Sequence, residues 1–165
     1  MEASPVAGWS DFLAAAATTA GALVGLVFVS LSINLARIIA LPGVSGRAAE
    51  TILLLSGALA ESLLALVPQL PAARLGWAML AVAVLTWAFP VLIQLQAARA
   101  HTYYRRSLAL LRAALHQLAA VPAVVAAIGL IHLQAGAMDW LALGTIASML
   151  VAIFNAWVLL VEIMR

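Results

Sequence analysis

The chain has 165 residues, of which 67% are hydrophobic and 8% are charged. Soluble domains contain roughly 45–50% apolar and 25% charged residues, so a soluble fold would leave too much apolar surface in water. The net charge is +2, and the eight basic residues are all arginine. They are few and scattered along the chain, which argues against a nucleic-acid-binding surface.

The residue types also exclude several kinds of chemistry. The absence of cysteine excludes disulfides, thiolate metal sites and iron–sulfur clusters. His101, His116 and His132 lie 15 and 16 residues apart, which is not a metal-ligand spacing on one helix. No HExxH, GxSxG, P-loop or GxGxxG motif is present. We therefore expect neither an enzyme nor a metal or other cofactor.

Long uncharged runs predict membrane-spanning helices, because about 20 apolar residues cross a hydrocarbon core ~30 Å thick. The expected fold is all-α, a polytopic membrane helical bundle that forms one domain over residues 1–165. Its five predicted transmembrane helices lie near 12–36, 49–69, 75–98, 113–134 and 140–162. His116, Gln117 and Pro122 weaken the fourth, so a bundle of four spans is the alternative.

The polar insert at residues 99–112 leads into the fourth predicted span. Leu108, Leu111 and Leu115 fall on one helical side of it, and the polar residues Arg105, Arg112 and His116 fall on another. This pattern is typical of an interfacial amphipathic segment or of a helical extension of the fourth span, and the residues leave both interpretations open.

Arginine placement predicts the orientation. Seven of the eight arginines fall on the side that holds the first loop, the third loop and the C-terminus, and only Arg74 lies on the other. The positive-inside rule places the arginine-rich side in the cytoplasm, with the N-terminus outside. Tyr103 and Tyr104 mark the inner face. Tryptophans begin spans at the predicted outer face, as an aromatic belt requires: Trp9, Trp77 and Trp140.

Glu61 is the only charged residue within residues 51–73. An acidic residue at a helix centre costs about 2.5–3.5 kcal/mol on insertion scales, so we expect Glu61 to be paired, protonated or solvated. At 100° per residue, small residues that include Gly57 share its side of the helix, and large aliphatic residues lie opposite. The carboxyl is therefore predicted to face protein or a water-filled crevice.

Polar residues on other spans complete a candidate ion or proton pathway with Glu61. At 1.5 Å per residue, Thr18, Thr145 and Ser148 fall at a similar depth, which predicts a polar layer joining the first, second and fifth spans. Asn155 lies further along the same side of the fifth span. The alternative interpretation is that these groups only form hydrogen bonds between helices.

A stripe of small residues on the first span predicts close helix packing. The stripe contains a GxxxG match at Gly21 and Gly25 and consists of Ala14, Ala17, Thr18, Gly21, Gly25 and Ser32. Ala17, Gly21 and Gly25 are thus predicted packing positions, together with Gly57 on the second span. Ordinary packing within the bundle and a specific dimer contact both fit the pattern.

The segment AGALVGLVFVSLSINLARII, followed by GRAAETILLL, resembles a family of small bacterial multi-pass membrane proteins of unassigned function. The resemblance covers about the first 70 residues, including Ser32–Leu35 and Arg47–Glu50. It implies a bacterial cytoplasmic (inner) membrane location and no particular activity.

Two functions fit the sequence. In the first, the protein is an oligomeric channel or a transporter-like assembly that uses Glu61 as its ion or proton site. In the second, it is a structural or accessory membrane protein in which Glu61 only fixes helix packing. The expected partners are membrane lipids, further copies of the chain and, in the second case, a larger membrane protein.

Overall fold

The computed structural model describes residues 6, 8–41, 43–100 and 106–164. Within these ranges the chain forms six helices and no strand: α1 Ser10–Ile33, α2 Leu35–Ala40, α3 Val44–Ala65, α4 Ala72–Ala100, α5 Arg106–Ile131 and α6 Ala137–Met164. The all-α prediction is confirmed. Several residues used to predict the orientation lie outside the described residues: Tyr103, Tyr104, Arg105 and Arg165. His101 also lies outside them.

Five of the helices, α1, α3, α4, α5 and α6, are long and apolar enough to cross a membrane. The fourth predicted span is among them, so five spans describe the chain better than four. Its helix, α5, begins at Arg106 rather than at residue 113. Residues 106–112 are therefore a helical extension of this span rather than a separate interfacial segment.

The second predicted span is displaced along the chain, because α3 covers Val44–Ala65 rather than residues 49–69. Gly43, which has a φ of 82°, precedes the helix, and glycine adopts this left-handed conformation without strain. Gly46 precedes the predicted span at 49–69, but it lies inside α3, where a Cβ atom would meet Cγ2 of Ile93 in α4 at 2.7 Å. Close helix contact, not a turn, explains this glycine.

Four helices form a closed ring in which each packs against its neighbours, in the order α3, α4, α5, α6 and back to α3. Helix α1 packs along α3 and only lightly touches α6, and the short helix α2 continues from it. We call the end of the ring where α3 and α5 begin the inner end, and the opposite end the outer end. The ring gives a single protomer an interior of its own.

The residue distribution is the reverse of that in a soluble protein. Large apolar side chains cover the outside, with Ile33 78% exposed, Leu85 68% exposed and Trp157 62% exposed. Polar side chains are buried instead: Glu50, Thr51, Glu61, Ser62, His116, Thr145, Ser148 and Asn155. Such an exterior suits an apolar solvent, in which helices satisfy their backbone groups internally.

Only part of the small-residue stripe of α1 packs within the protomer, and Ala17 is its one buried member. Leu13, Ala16, Ala17 and Ala20 are buried, whereas Thr18 and Gly25 are exposed. Gly21 approaches Leu59 of α3 only loosely, since a Cβ there would lie 3.9 Å from it, and one at Gly25 would meet nothing within 4 Å. The buried face is rotated from the predicted stripe, because α1 uses its alanines and Leu13 against α3.

Gly76 of α4 packs closely against the backbone of α5. A Cβ at Gly76 would lie 2.8 Å from the Ile131 backbone nitrogen and 2.9 Å from the Ala127 carbonyl oxygen. At Gly57 of α3, a Cβ would lie 2.7 Å from Cγ2 of Thr86. Backbone atoms yield less readily than a side-chain methyl group, so Gly76 is the less tolerant position.

We expect Gly76→Ala to lower the free energy of unfolding by about 1–3 kcal/mol, the usual cost of overpacking. Gly25→Ala is the matched control, because it adds the same methyl group in open space and gains helix propensity. Unfolding in mixed detergent micelles, followed by circular dichroism, measures both. Equal stability of the two variants would contradict the close α4–α5 contact.

Candidate functional site

A small cavity lies inside the ring, near the middle of its helices. Its volume is about 10 Å³, close to the roughly 10–15 Å³ that one water molecule needs. All four ring helices line it: Leu54, Gly57, Ala58 and Glu61 of α3, Thr86 of α4, Ala120 and Ala123 of α5, and Ser148 of α6. The polar groups at this cavity are thus one carboxyl and two hydroxyls.

Glu61 is 3% exposed and faces the interior of its own protomer. Among the residues that the structure describes, none forms a hydrogen bond or ion pair with its carboxyl. The two hydroxyls at the cavity are already engaged as donors. Thr86 donates to the carbonyl of Val82 at 3.0 Å, and Ser148 donates to the carbonyl of Ala119 at 3.2 Å. Their oxygen lone pairs remain available as acceptors.

The structure brings together only part of the predicted pathway. Ser148 meets Glu61 at the cavity, and Gly57 provides the space beside them. Thr145 is buried on the same helix but does not line the cavity, and its hydroxyl has no hydrogen-bond partner. Asn155 is also buried and lies about two turns from Ser148 toward the inner end.

Thr18 lies apart from this interior. It is exposed on α1, where its hydroxyl donates to the carbonyl of Ala14 at 2.8 Å. The predicted polar layer through the first span is therefore wrong. Helix α1 lies outside the four-helix ring, so its polar side chains have no access to the cavity.

A second polar group, which we call the inner cluster, consists of Glu50, Gln94, Arg112 and His116. Glu50 is 0% exposed and accepts hydrogen bonds from two other helices. Nε2 of Gln94 donates to its Oε1 at 2.7 Å, and Nε of Arg112 donates to its Oε2 at 2.7 Å. The cluster links α3, α4 and α5 through one carboxylate.

Arg112 and Glu50 form a buried ion pair. Nη2 of Arg112 also lies 2.7 Å from Oε2 of Glu50, and the two side chains are 10% and 1% exposed. The angle at Nη2 does not meet hydrogen-bond geometry, so this nitrogen contributes through its charge. Because α3 and α5 are opposite in the ring, the pair crosses its interior.

The two prolines inside the ring helices lie close to these polar groups. Pro90 of α4 and Pro122 of α5 each remove a backbone donor from the helix, which weakens the hydrogen-bond ladder around them. Three residues before each proline, a backbone carbonyl is contacted by a side chain of a neighbouring helix. His116 lies 3.1 Å from the Trp87 carbonyl oxygen, and Ser148 bonds to Ala119.

An apolar layer separates the cavity from the inner cluster. Its buried members are Leu54, Leu55, Ala119, Val151 and Ala152. A further apolar cluster, which we call the outer apolar cluster, closes the ring between Glu61 and the outer end. It includes Leu13, Leu75, Met79, Leu130 and Leu141. Glu61 is thus enclosed between two apolar layers.

A much larger cavity lies elsewhere. It is an open cleft of about 950 Å³ at the outer end, lined by residues 69–73, residues 133–139 and Trp9. It contains neither Glu61 nor Glu50, and the outer apolar cluster lies between it and Glu61. The small cavity, which contains Glu61, is therefore the candidate functional site rather than the open cleft.

Sequence reasoning missed Thr86 and the inner cluster as parts of the site. Glu50 shares its helical side with Glu61, and Arg112 shares its side of α5 with His116. Both patterns can be seen in the sequence. Nothing in the sequence shows that Glu50 and Arg112, which are 62 residues apart, face each other. Within the described residues, no group of three or more carboxylate or histidine side chains could hold a metal ion.

Comparison with protein-family models, with curated proteins and with solved structures finds no match to this chain. The resemblance to small bacterial membrane proteins therefore stays a prediction, and the function rests on the site itself.

The two buried acids are expected to differ in stability experiments. Glu50→Gln and Arg112→Gln each leave one buried charge unpaired, which costs about 3–5 kcal/mol of unfolding free energy. The double variant should lose clearly less than the sum of the single losses. Glu61→Gln should lose less than about 1 kcal/mol, because no ion pair is broken.

Unfolding in mixed micelles measures the four variants against the wild-type chain. Additive losses in the double variant would contradict the Glu50–Arg112 pair, because residues in one ion-pair network show a coupling energy. A large loss in Glu61→Gln would show that Glu61 has a partner of its own.

Proposed function

We propose that this protein is a multi-pass membrane protein that moves protons, with Glu61 as the proton-binding group. The supporting observation is an acidic side chain that is 3% exposed, has no ion-pair partner among the described residues and lines a cavity of single-water size. Buried ionisable groups in membrane-spanning helices are rare and characteristic of proton relays and ion pathways.

The absence of a nearby cation favours a proton on Glu61. Burying a carboxylate without a cation is so unfavourable that the group neutralises instead. Its charge can be formed only for short periods and with a water in the cavity as the donor, because the hydroxyls of Thr86 and Ser148 already donate to backbone carbonyls. A carboxyl in this setting can accept and release a proton without any heavy atom crossing the bundle.

The same cavity is poorly suited to a metal cation. Calcium takes six to eight oxygen ligands and magnesium keeps several waters, whereas the cavity offers one carboxyl, two hydroxyls and about 10 Å³ of space. A proton needs neither the ligands nor the volume. The sequence predicted that Glu61 binds an ion or a proton, and we propose the proton.

Proton movement along the ring requires a conformational change, since apolar layers close both sides of Glu61. Pro90 lies one turn from Thr86, and Pro122 is adjacent to the cavity residue Ala123. Kinks at proline are established points of helix bending. We propose that bending there admits water alternately to the cavity from the two ends.

We also propose the location and topology predicted from the sequence: a bacterial cytoplasmic membrane, with the N-terminus outside and the C-terminus in the cytoplasm. Association between copies and contact with lipids belong to this proposal. The site does not need a second copy, because one protomer supplies every wall of the cavity.

A structural or accessory role is the second candidate, and the inner cluster favours it. Its ion pair crosses the ring and would fix the register of α3 against α5 without any transport. In that case a larger membrane protein is the expected partner, and Glu61 is a buried, protonated packing residue.

Flux measurements separate the two roles. We expect wild-type protein in vesicles to carry protons down a potential set by potassium and valinomycin, and Glu61→Gln to lose at least about tenfold of that flux, since it removes the proton-binding group. An enclosed pH-sensitive dye records the flux. Asp11→Asn, which removes an exposed acid outside the ring, is the control.

Gel filtration and circular dichroism establish that each variant is folded before its flux is compared. Wild-type vesicles without flux at any tested pH or potential would reject the proton-moving role and favour the structural one. Unchanged flux in folded Glu61→Gln would remove Glu61 from the pathway.

Infrared spectroscopy tests the proton on Glu61 directly. At neutral pH we expect the carbonyl stretch of a protonated carboxylic acid in the wild-type protein and in Glu50→Gln, but not in Glu61→Gln. The reason is that Glu50 is paired with Arg112, whereas no cation among the described residues pairs with Glu61. A band that survives in Glu61→Gln would assign the proton to another carboxyl group.

A further inference from the structure

We infer that the inner cluster is a second proton-binding site, in which Nδ1 of His116 takes the proton and Glu50 is the counter-ion. This inference concerns a different group from Glu61, and it holds whether or not the bundle moves protons. It follows from the orientation of one buried imidazole ring between two oxygen atoms.

The first oxygen fixes the tautomer of His116. Its Nε2 lies 3.1 Å from the carbonyl oxygen of Trp87. A carbonyl oxygen can only accept a hydrogen bond, so Nε2 must carry the hydrogen. In a neutral imidazole the other nitrogen, Nδ1, is then an unprotonated acceptor.

The second oxygen faces that acceptor. Nδ1 lies 3.5 Å from Oε1 of Glu50, and it is buried without a hydrogen-bond partner. In the neutral ring, a lone pair therefore points toward a carboxylate. A proton on Nδ1 converts this contact into an ion pair with a donor facing an acceptor, which is the stronger arrangement.

The neighbouring groups determine how the cluster responds to that proton. Oε1 of Glu50 already accepts from Gln94 of α4, and Oε2 is paired with Arg112, one turn before His116 on α5. Helix α6 has no described ionisable side chain at this end, and the side chain of its Glu162 lies outside the described part. When His116 is protonated, His116 and Arg112 both pair with the carboxylate of Glu50.

A second cation at the Glu50 carboxylate weakens the ion pair between Arg112 and Glu50. The Arg112 side chain is 10% exposed, and Gln94 is also partly buried, whereas Glu50 and His116 are fully buried. Proton uptake by His116 thus loosens the ion pair that crosses the ring. The cluster couples proton binding to the α3–α5 contact.

Nitrogen-15 NMR of the full chain, labelled at histidine and held in detergent micelles, tests the inference. At high pH we expect His116 to show a protonated Nε2 and an unprotonated Nδ1. As the pH falls, both nitrogens should become protonated. His116→Gln removes the signal and so assigns it, and the exposed His132 gives a comparison signal in the same sample.

Glu50→Gln provides the second arm. In Glu50→Gln a neutral amide replaces the carboxylate that faces Nδ1, so a smaller fraction of His116 should carry the proton on Nδ1 at a given pH than in the wild-type chain, while His132 is unchanged. If that variant does not fold, the wild-type titration still decides. A proton on Nδ1 in the neutral ring, or an Nδ1 that stays unprotonated where His132 is fully charged, would overturn the inference.

Discussion

The ion pair between Glu50 and Arg112 crosses the four-helix ring and joins helices that are not neighbours in it. A charge buried without its partner is strongly unfavourable, so this contact fixes both the depth of α3 and the rotation of α5. The side chains of Gln94 and His116 must then fill the remaining space around the carboxylate. The order of polar and apolar layers above the cluster follows from that alignment.

Helix α3 carries two buried acids that have opposite surroundings. Glu50 has a cation and an amide donor, whereas Glu61 has a cavity of single-water size and two hydroxyls. The first environment pairs a carboxylate with a cation, and the second is the one in which we propose a neutral carboxyl that exchanges a proton. An apolar layer around Leu54 and Leu55 keeps them apart. One helix thus combines a structural charge with the proposed proton-binding group.

Much of this arrangement could be predicted from individual helices. The all-helical class and the five long apolar segments follow from composition, and the inward direction of Glu61 follows from its small-residue side. The helix ends were harder, because Gly43 and Gly46 look alike in sequence, yet one precedes α3 and the other packs against α4. The stripe on α1 was misleading for a related reason. Small residues permit close contact, but they do not say which neighbour, if any, provides it.

The sequence alone determined that the chain has an apolar exterior, that a lone acid lies within an apolar run, and that polar residues occur at comparable depths on several helices. Only the tertiary structure decided which of these residues meet. It placed Ser148 and Thr86 beside Glu61, left Thr18 outside the ring, and paired Glu50 with Arg112. The physical reason is that periodicity fixes the face and depth of a residue on its own helix. The partner across an interior depends on the order and rotation of the helices, which are set by packing between distant segments.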